Sequence, residues 1–228
     1  MELNTIEKFL LMAHHPRKGR FVSSLSFINT GFAGSVFMEL AILDKISIKK
    51  RRVFVKNNDK IVDHPILNDV LDEVRKREKP RTLKSWILSL YHKRSSYLWE
   101  FLEEMERKGL VRIEQKKFLF LIPYKKTFLT NQYEQDTLIY ELKFKISKPE
   151  SINVQDRVLY GLIEACRLYP NFYSTRKERL RFEKQIKENV LDAPSIVDSI
   201  DDAVHQTIKI IIATMLLTVY YVGSRSSS

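Results

Sequence analysis

The sequence predicts a mainly α-helical fold: a single helical domain with two short β-hairpins and a C-terminal apolar helix buried in the core. Helical spacing of apolar residues recurs along most of the 228 residues, whereas alternation with a period of two is confined to two short stretches. A chain with 44% hydrophobic and 29% charged residues can bury a sizeable core without cross-links. We expect one domain over residues 1–222, followed by a polar tail over residues 223–228.

Two helices and a hairpin are predicted at the start of the chain. Leu3, Ile6, Leu10 and Leu11 have helical spacing and mark an opening helix, and the basic turn HPRKGR ends it. A second helix is expected over about residues 30–43, where Gly31 and Gly34 permit the close approach of a neighbouring element. Apolar residues then alternate in KISIKKRRVFVKN, which predicts a hairpin with four cations at its turn, Lys49 to Arg52.

Three more helices and a second hairpin are predicted in the middle of the chain. One helix lies between Pro65, which suits a first helical position, and Pro80, which cannot continue a helix. Helices in TLKSWILSLYH and SSYLWEFLEEMERKG follow, the last one capped by Gly109. Short strands in LVRIE and FLFLIP predict a hairpin that turns at residues 115–117, so the segment KKFLFLIPYKK is expected on its second arm.

The C-terminal part is predicted to be helical. Helical periodicity resumes in NQYEQDTLIYELKFKI and VQDRVLYGLIEACRLYP, and Thr175 with Glu178 forms a capping-box pattern before another helix. The last helix is expected to begin around Ser195. Its apolar stretch, residues 208–222, is shorter than the about 20 residues that a membrane-spanning helix needs, so we expect it to be buried in the protein.

The basic character of the chain suggests its class of partner. The 39 Lys and Arg residues against 28 Asp and Glu give a formal net charge of +11, which favours nucleic acid, anionic lipid or a phosphorylated ligand. The predicted elements from Thr82 to Ile122, two helices and then a hairpin, also follow the order of a winged-helix nucleic-acid-binding domain. The recognition helix of that domain would hold four glutamates against two cations, so nucleic acid is the weaker alternative. A module that binds an acidic protein is a third possibility.

The sequence holds no recognisable catalytic or cofactor motif, so we expect no enzyme activity, cofactor or metal. The five histidines fit no metal-ligand spacing except in DSIDDAVH, where acidic residues equally suit the first turn of a helix. The single cysteine, Cys166, lies at core spacing and excludes an intramolecular disulfide, as is typical of a reducing compartment. The first residues lack the features of a signal peptide, and we expect a cytoplasmic protein.

Two long stretches resemble the Golgi phosphoprotein 3 family. KGRFVSSLSFINTGFAGSVFMELAILDKISI is similar to the family's turn, Gly-x-x-Gly helix and charged turn into a strand, and MERKGLVRIEQKKFLFLIPYKKTFLTN is similar to its helix, glycine cap and hairpin. DRVLYGLIEACR is similar to a later helix of the family, so the resemblance runs from about residue 6 to about residue 221. Since the chain begins at the core domain, we expect a prokaryotic-type member.

The resemblance implies a helical peripheral membrane protein that binds phosphatidylinositol 4-phosphate in a basic pocket beside a β-hairpin. In eukaryotic members this binding serves Golgi retention of glycosyltransferases, so cytosolic tails of membrane enzymes are implied partners. The family's pocket uses a tryptophan and three arginines, and the matching positions here are Ser24, Ala33, Ser95 and Leu98. The resemblance therefore does not supply the lipid specificity.

Other residues of the sequence are candidates for holding an anionic head group. Lys18 and Arg20 lie in the turn before Ser24, and Lys93 and Arg94 immediately precede Ser95. A phosphate needs cations or amide donors near it, whichever positions supply them. Each of these cations is also of the type that covers an ordinary solvated surface.

The second hairpin is the candidate surface for a membrane or a second subunit. Its candidate residues are Lys116, Lys117, Phe118, Leu119, Phe120, Leu121, Lys125 and Lys126. On the predicted second arm, Phe118, Phe120 and Ile122 face inward, while Leu119 and Leu121 are left for acyl chains or for a homo-oligomer. A neighbouring helix that covers both leucines is the equal alternative. We therefore expect reversible association with the cytoplasmic face of a membrane.

Overall fold

The computed structural model describes residues 3–57, 62–93, 95–118, 121–191, 212–215 and 217. Its helices are α1 (Thr5–Ala13), α2 (Leu25–Ile42), α3 (Pro65–Arg75), α4 (Leu83–Lys93), α5 (Ser95–Arg107), α6 (Tyr133–Lys145), α7 (Val154–Cys166) and α8 (Arg176–Ile186). Its strands are β1 (Ile46–Lys49), β2 (Arg52–Val55), β3 (Val111–Phe118) and β4 (Ile122–Leu129). They form two antiparallel hairpins, β1–β2 and β3–β4. The predicted mainly α-helical fold with two hairpins is confirmed.

Helix α2 lies at the centre of the core. It packs against α1, α4 and α7, and its residues from position 30 to position 41 are all buried. The helix begins at Leu25, five residues before the predicted start, because the side chain of Ser24 accepts a hydrogen bond from Phe27 N and caps it. A Cβ at Gly31 would overlap Cys166 Sγ and the Phe9 ring, which confirms the predicted close approach.

Helix α2 also has the length and composition of a membrane-spanning segment. Among the described residues, its 18 residues are the one helical window that meets this test, with a mean hydropathy of 1.4. Inside the protein, 72% of the window is buried against other elements. The apolar composition of α2 is therefore accounted for by its central position in the core.

The C-terminal apolar segment packs on glycines of two helices. Residues 212–215 are helical, and Ile212 and Met215 are buried. A Cβ at Gly161 of α7 would overlap Ile212, and one at Gly34 of α2 would overlap Met215. Burial of the C-terminal helix in the core is thus confirmed for these residues, while its predicted start at Ser195 and the polar tail lie outside the described residues.

The β1–β2 hairpin is confirmed, and its turn is narrower than predicted. Lys49 and Arg52 form the last cross-strand pair, so the turn consists of Lys50 and Arg51 alone. Their φ angles are 48° and 62°, in the left-handed region. The hairpin is fixed to the start of α4, because Leu83 N donates to Arg51 O at 3.0 Å.

The β3–β4 hairpin corrects the predicted turn at residues 115–117. Those residues lie in β3, where Lys116 pairs with Tyr124 and Lys117 pairs with Pro123. The ladder ends at the pair of Phe118 with Ile122, and Leu121 is a turn residue, so KKFLFLIPYKK includes the ends of both arms. The prediction was wrong because it assumed polar turn residues, whereas the buried base of the hairpin sets the register and carries the apolar run to the tip.

Candidate functional site

The base of the β3–β4 hairpin is anchored in the core. Val111 and Thr127 are each 2% exposed, and they lie on the same face of the ladder. His14, at the end of α1, lies between this face and its own helix: Nδ1 is 2.6 Å from Leu10 O, and Nε2 is 3.1 Å from Thr127 Oγ1. Since a carbonyl can only accept, Nδ1 carries a proton. Desolvation favours the neutral ring, in which Nε2 accepts a hydrogen bond from the threonine hydroxyl.

The distal half of the same hairpin projects from the body of the protein. Beyond Ile113 the strand continues for five residues, of which Gln115, Lys116 and Lys117 are exposed. Five residues of strand span about 16 Å at 3.3 Å per residue. Leu121, in the tip, is 83% exposed, and Tyr124 on the returning strand is 41% exposed. A large apolar side chain thus stands in solvent at the end of a projecting arm.

Helix α5 supports the projecting arm along its length. Ile113 N donates to Glu106 Oε1 at 2.6 Å, and farther out Lys125 Nζ donates to Glu103 Oε1 at 2.8 Å. The Lys125 ammonium also lies 5.5 Å from the Trp99 ring, in cation–π geometry. The contacts nearer the tip therefore involve residues nearer the N-terminus of α5, so this end of the helix and the tip lie at the same end of the molecule.

This direction places the α4–α5 junction at the same end of the molecule as the hairpin tip. Ser95 lies eight residues before Glu103, about 12 Å along the helix at 1.5 Å per residue. The backbones of Lys93 and Ser95 end α4 and begin α5. Their side chains, and all of Arg94, lie outside the described part of the chain, so these three candidates are placed by their helices alone.

Two of the hairpin lysines have acidic neighbours. Lys116 Nζ lies 2.7 Å from Glu114 Oε2 and Lys125 lies on Glu103. Lys126 Nζ is 5.8 Å from the Tyr124 ring, and the backbone of Lys117 pairs with Pro123. Each arm carries one further lysine behind the tip, Lys117 on β3 and Lys126 on β4. The side chain of Phe118 and all of Leu119 and Phe120 lie outside the described residues.

Lys18 and Arg20 lie at the opposite end of the hairpin. Their turn packs on its base, where a Cβ at Gly19 would overlap the Phe128 ring. Six residues separate Phe128 from Ile122, about 20 Å of strand. The two cations surround His15, whose pKa is lowered by desolvation and then by Lys18 and Arg20. They therefore form a basic cluster that is separate from the tip.

Three of the four positions that match the family's pocket have described side chains, and these three do not form a polar site. Ser24 is an exposed helix cap, whereas Ala33 and Leu98 are 1% and 2% exposed within the core. Sequence reasoning missed one contact near the Ser24 cap: the guanidinium of Arg167 lies 5.6 Å from the ring of Phe27, in the first turn of α2. The only feature of Arg167 that the sequence shows is its position just after α7.

Shifted pKa values elsewhere belong to partly buried ion pairs that join helices. Lys108 Nζ lies 2.7 Å from Glu7 Oε1 and 2.9 Å from Glu104 Oε1, and His64 Nε2 lies 3.0 Å from Glu104 Oε2. Desolvation lowers the pKa of His64, although Glu104 acts in the opposite direction. These groups join α1, α5 and the start of α3. Among the described residues, no group of three or more His, Cys, Asp or Glu side chains is placed to hold a metal, and the DSIDDAVH stretch lies outside them.

Fold and site together define a mainly helical protein that presents a basic hairpin with an apolar tip. The family model described as Golgi phosphoprotein 3 (GPP34) matches residues 6–210, which is most of the chain. The protein therefore belongs to the Golgi phosphoprotein 3 family, as the resemblance of its sequence indicated. No curated protein matches the chain.

Proposed function

We propose that this protein is a non-enzymatic peripheral membrane protein that binds anionic phospholipid through the β3–β4 hairpin. Membership of the Golgi phosphoprotein 3 family supports a phosphatidylinositol 4-phosphate-binding type of role at the family level. One observation carries the proposal for this chain: Leu121 is 83% exposed at a projecting tip that is flanked by lysines. The cytoplasmic face of a membrane, where anionic lipids concentrate, is the surface we propose.

The mechanism combines a charge term and an apolar term. Each lysine close to an anionic surface contributes about 1 kcal/mol of attraction. Transfer of a leucine side chain out of water contributes about 1.5–3 kcal/mol. Either term alone gives weak attachment, and the two together give reversible binding. The cytosolic tails of membrane enzymes are proposed as partners on the same ground of family membership.

Head-group recognition is proposed at the end of the molecule that holds the tip. The N-terminus of α5 points in this direction, and the chain supplies Lys93, Arg94 and Ser95 there. Helix N-termini attract phosphates, and neighbouring cations add to this attraction. Because two of the family's pocket positions are core residues here, Ala33 and Leu98, any phosphoinositide preference must come from these other groups.

Co-sedimentation with liposomes tests the proposal. Neutral, phosphatidylglycerol and phosphatidylinositol 4-phosphate liposomes are compared at two salt concentrations, with duplex DNA as a competitor. We expect pelleting with both anionic liposomes and little with neutral ones, and stronger pelleting with the phosphoinositide would identify head-group recognition. Tight DNA binding without pelleting would instead support the winged-helix alternative. In that case the order α4, α5, β3 and β4 would form the DNA-binding unit.

The substitution Leu121→Asp tests the hairpin tip. It removes the apolar contact and places a carboxylate against anionic lipid, so we expect the membrane partition coefficient to fall at least about tenfold. Leu180→Asp is the matched control, because Leu180 on α8 is also exposed, at 50%, and the change in charge is the same. Equal losses in the two variants, or unchanged binding by folded Leu121→Asp, would contradict a tip-mediated contact.

A further inference from the structure

A cavity of about 390 Å³ lies on a part of the molecule that the proposed membrane contact does not use. Its lining residues are Arg51, Thr82, Lys84, Ala213, Thr214 and Leu217. They come from the β1–β2 turn, the start of α4 and the C-terminal helical segment, and none of them belongs to the β3–β4 hairpin. Its volume is within the range of about 300–1,000 Å³ that is typical of small-ligand sites.

Backbone hydrogen bonds fix the basic side of the cavity. Leu83 N donates to Arg51 O at 3.0 Å, and Arg52 forms an isolated antiparallel bridge with Thr82. Ser85 N in turn donates to Thr82 Oγ1 at 3.2 Å, which caps the start of α4. The backbones that carry Arg51 and Lys84 are therefore held side by side by ladder and cap bonds.

The turn that presents Arg51 has an unfavourable backbone for its sequence. Lys50 and Arg51 both have positive φ angles, 48° and 62°. Two-residue turns of this kind favour Asn-Gly, and a left-handed residue other than glycine costs about 1–2 kcal/mol. Local conflicts between sequence and backbone tend to concentrate at functional sites. The two cations thus occupy a turn that Asn-Gly would form with less strain.

The chemistry of the cavity selects for a ligand with two parts. Arg51 and Lys84 supply positive charge, and the six described lining residues include no carboxylate. Most of the lining surface is apolar, and Ala213 and Leu217 contribute to it, the Leu217 side chain being 65% exposed. An anionic group fits the two cations, and an aliphatic chain fits the apolar part of the lining.

We propose that this cavity binds a free single-chain anionic amphiphile, with its head group on Arg51 and Lys84 and its alkyl chain on Ala213 and Leu217. Thr82, whose Oγ1 accepts from Ser85 N, and Thr214 also lie in the lining. This site is independent of the membrane contact, since the two share no residue. The ligand is recognised as one molecule because the cations and the apolar wall border the same space.

Calorimetric titration of the full chain with octyl phosphate below its critical micelle concentration tests the proposal. Inorganic phosphate and octanol, titrated separately, supply the head group and the alkyl chain alone. We expect one molecule of octyl phosphate per chain, bound at least tenfold more tightly than either fragment. Octyl phosphate that binds no more tightly than octanol, or that binds with a stoichiometry well above one, would overturn the proposal.

Paired substitutions assign the binding to this cavity. We expect Arg51→Gln with Lys84→Gln to weaken octyl phosphate binding at least tenfold. The control Lys177→Gln with Arg181→Gln removes the same charge from exposed positions on α8 and should change the affinity less than twofold. Equal effects of the two pairs of substitutions would show that the binding is general electrostatic attraction, and would overturn the proposed site.

A second variant keeps the test decisive if the paired substitution disturbs the β1–β2 turn. Leu217→Asn alters a side chain that is 65% exposed, so the fold should tolerate it. We expect tenfold weaker binding of octyl phosphate, and unchanged affinity would contradict the proposal. Leu121→Asp should leave octyl phosphate binding intact while it weakens liposome binding at least about tenfold, so failure of one proposal is distinguishable from failure of the other.

Discussion

At the scale of single residues, His14 shows how a buried polar group connects the core to the β3–β4 hairpin. Its side chain is fully buried, and its two ring nitrogens join Leu10 of α1 to Thr127 of β4. Burial lowers the pKa of His14 to about 4, although the hydrogen bond to Leu10 acts in the opposite direction. Protonation would turn Nε2 from an acceptor into a donor and place a positive charge in the buried base of the hairpin.

We predict that this histidine makes the protein sensitive to acid. The unfolded chain takes up its proton near pH 6.5 and the folded chain only near pH 4, so stability falls as the pH is lowered through this window. The loss attributable to His14 amounts to about 3 kcal/mol. Urea unfolding at pH 7 and at pH 4.5 measures it, and His14→Asn should reduce the difference between the two values.

The neighbouring residue provides the control for this prediction. His15→Asn makes the same substitution in the basic turn, at a partly exposed side chain that bonds only to Arg17 N and Lys18 N in the described structure. It should leave most of the pH dependence in place. A pKa near 6.5 for His14 in an NMR titration of the folded protein would show that the ring is not desolvated as the structure indicates.

At the scale of elements, sequence predicted the helices better than the hairpin tip. Helical spacing identified the helices because burial on one face leaves a periodic signal, and Gly31 and Gly34 marked the close packing of α2. The position of the β3–β4 turn could not be predicted in this way. Lys116 and Lys117 resemble turn residues, and only the packing of Val111 and Thr127 at the base shows that the strand continues past them.

The candidate site, like the hairpin, could be predicted only in part from the sequence. The lysines and Leu121 of the hairpin were identified from the apolar run between basic pairs, but their place at a tip depends on the ladder register. Arg167 was missed because its contact with Phe27 joins residues 140 positions apart, which no local pattern can indicate. The cavity beside Arg51 was missed for the same reason, since the segments that line it are separated in the chain.

We predict that Gly161 of α7 and Ile212 of the C-terminal segment are energetically coupled. A Cβ at Gly161 would overlap the Ile212 side chain, so Gly161→Ala should lower the free energy of unfolding by about 1–3 kcal/mol. Ile212→Ala should lower it by about 2–5 kcal/mol through the cavity that it leaves. Because the smaller side chain makes room for the added methyl group, the double variant should lose about 1 kcal/mol less than the sum.

Urea unfolding of the four proteins in this cycle measures the coupling. Alanine is also a better helix former than glycine, so Gly161→Ala gains a small amount of helix stability that opposes the clash. This gain is the same with Ile212 or Ala at position 212, so it cancels in the cycle. Strict additivity of the two substitutions would mean that the C-terminal segment does not contact α7 through this glycine. The result thus bears directly on how the described end of the chain completes the core.

At the scale of the whole molecule, charge and burial point to attachment at a surface. In the proposed function, the net charge of +11 would draw the protein to anionic lipid, and Leu121 of the β3–β4 hairpin would supply a small inserting group. Helix α2, which has the length of a membrane span, is 72% buried among its neighbours. Its insertion into a bilayer would expose the faces of α1, α4 and α7 that now pack on it, at the expense of the core.

We therefore predict that salt releases the bound protein from membranes. At an ionic strength of about 1 M the Debye length is about 3 Å, so lysines near the lipid head groups lose most of their attraction. The apolar tip alone gives weak attachment. Liposomes loaded at low salt, washed at high salt and sedimented should leave most of the protein in the supernatant. Protein that stays with the pellet through this wash and an alkaline wash would indicate an inserted helix.

The burial of Cys166 has a practical consequence for following the hairpin at a bilayer. This thiol is the single cysteine of the chain, it is fully buried, and burial raises its pKa far above the ordinary range. The native chain should consequently resist maleimide reagents, and Leu121→Cys would introduce the one thiol that reacts quickly. A polarity-sensitive fluorophore attached there would report the immersion depth of the tip directly, on an otherwise unaltered protein.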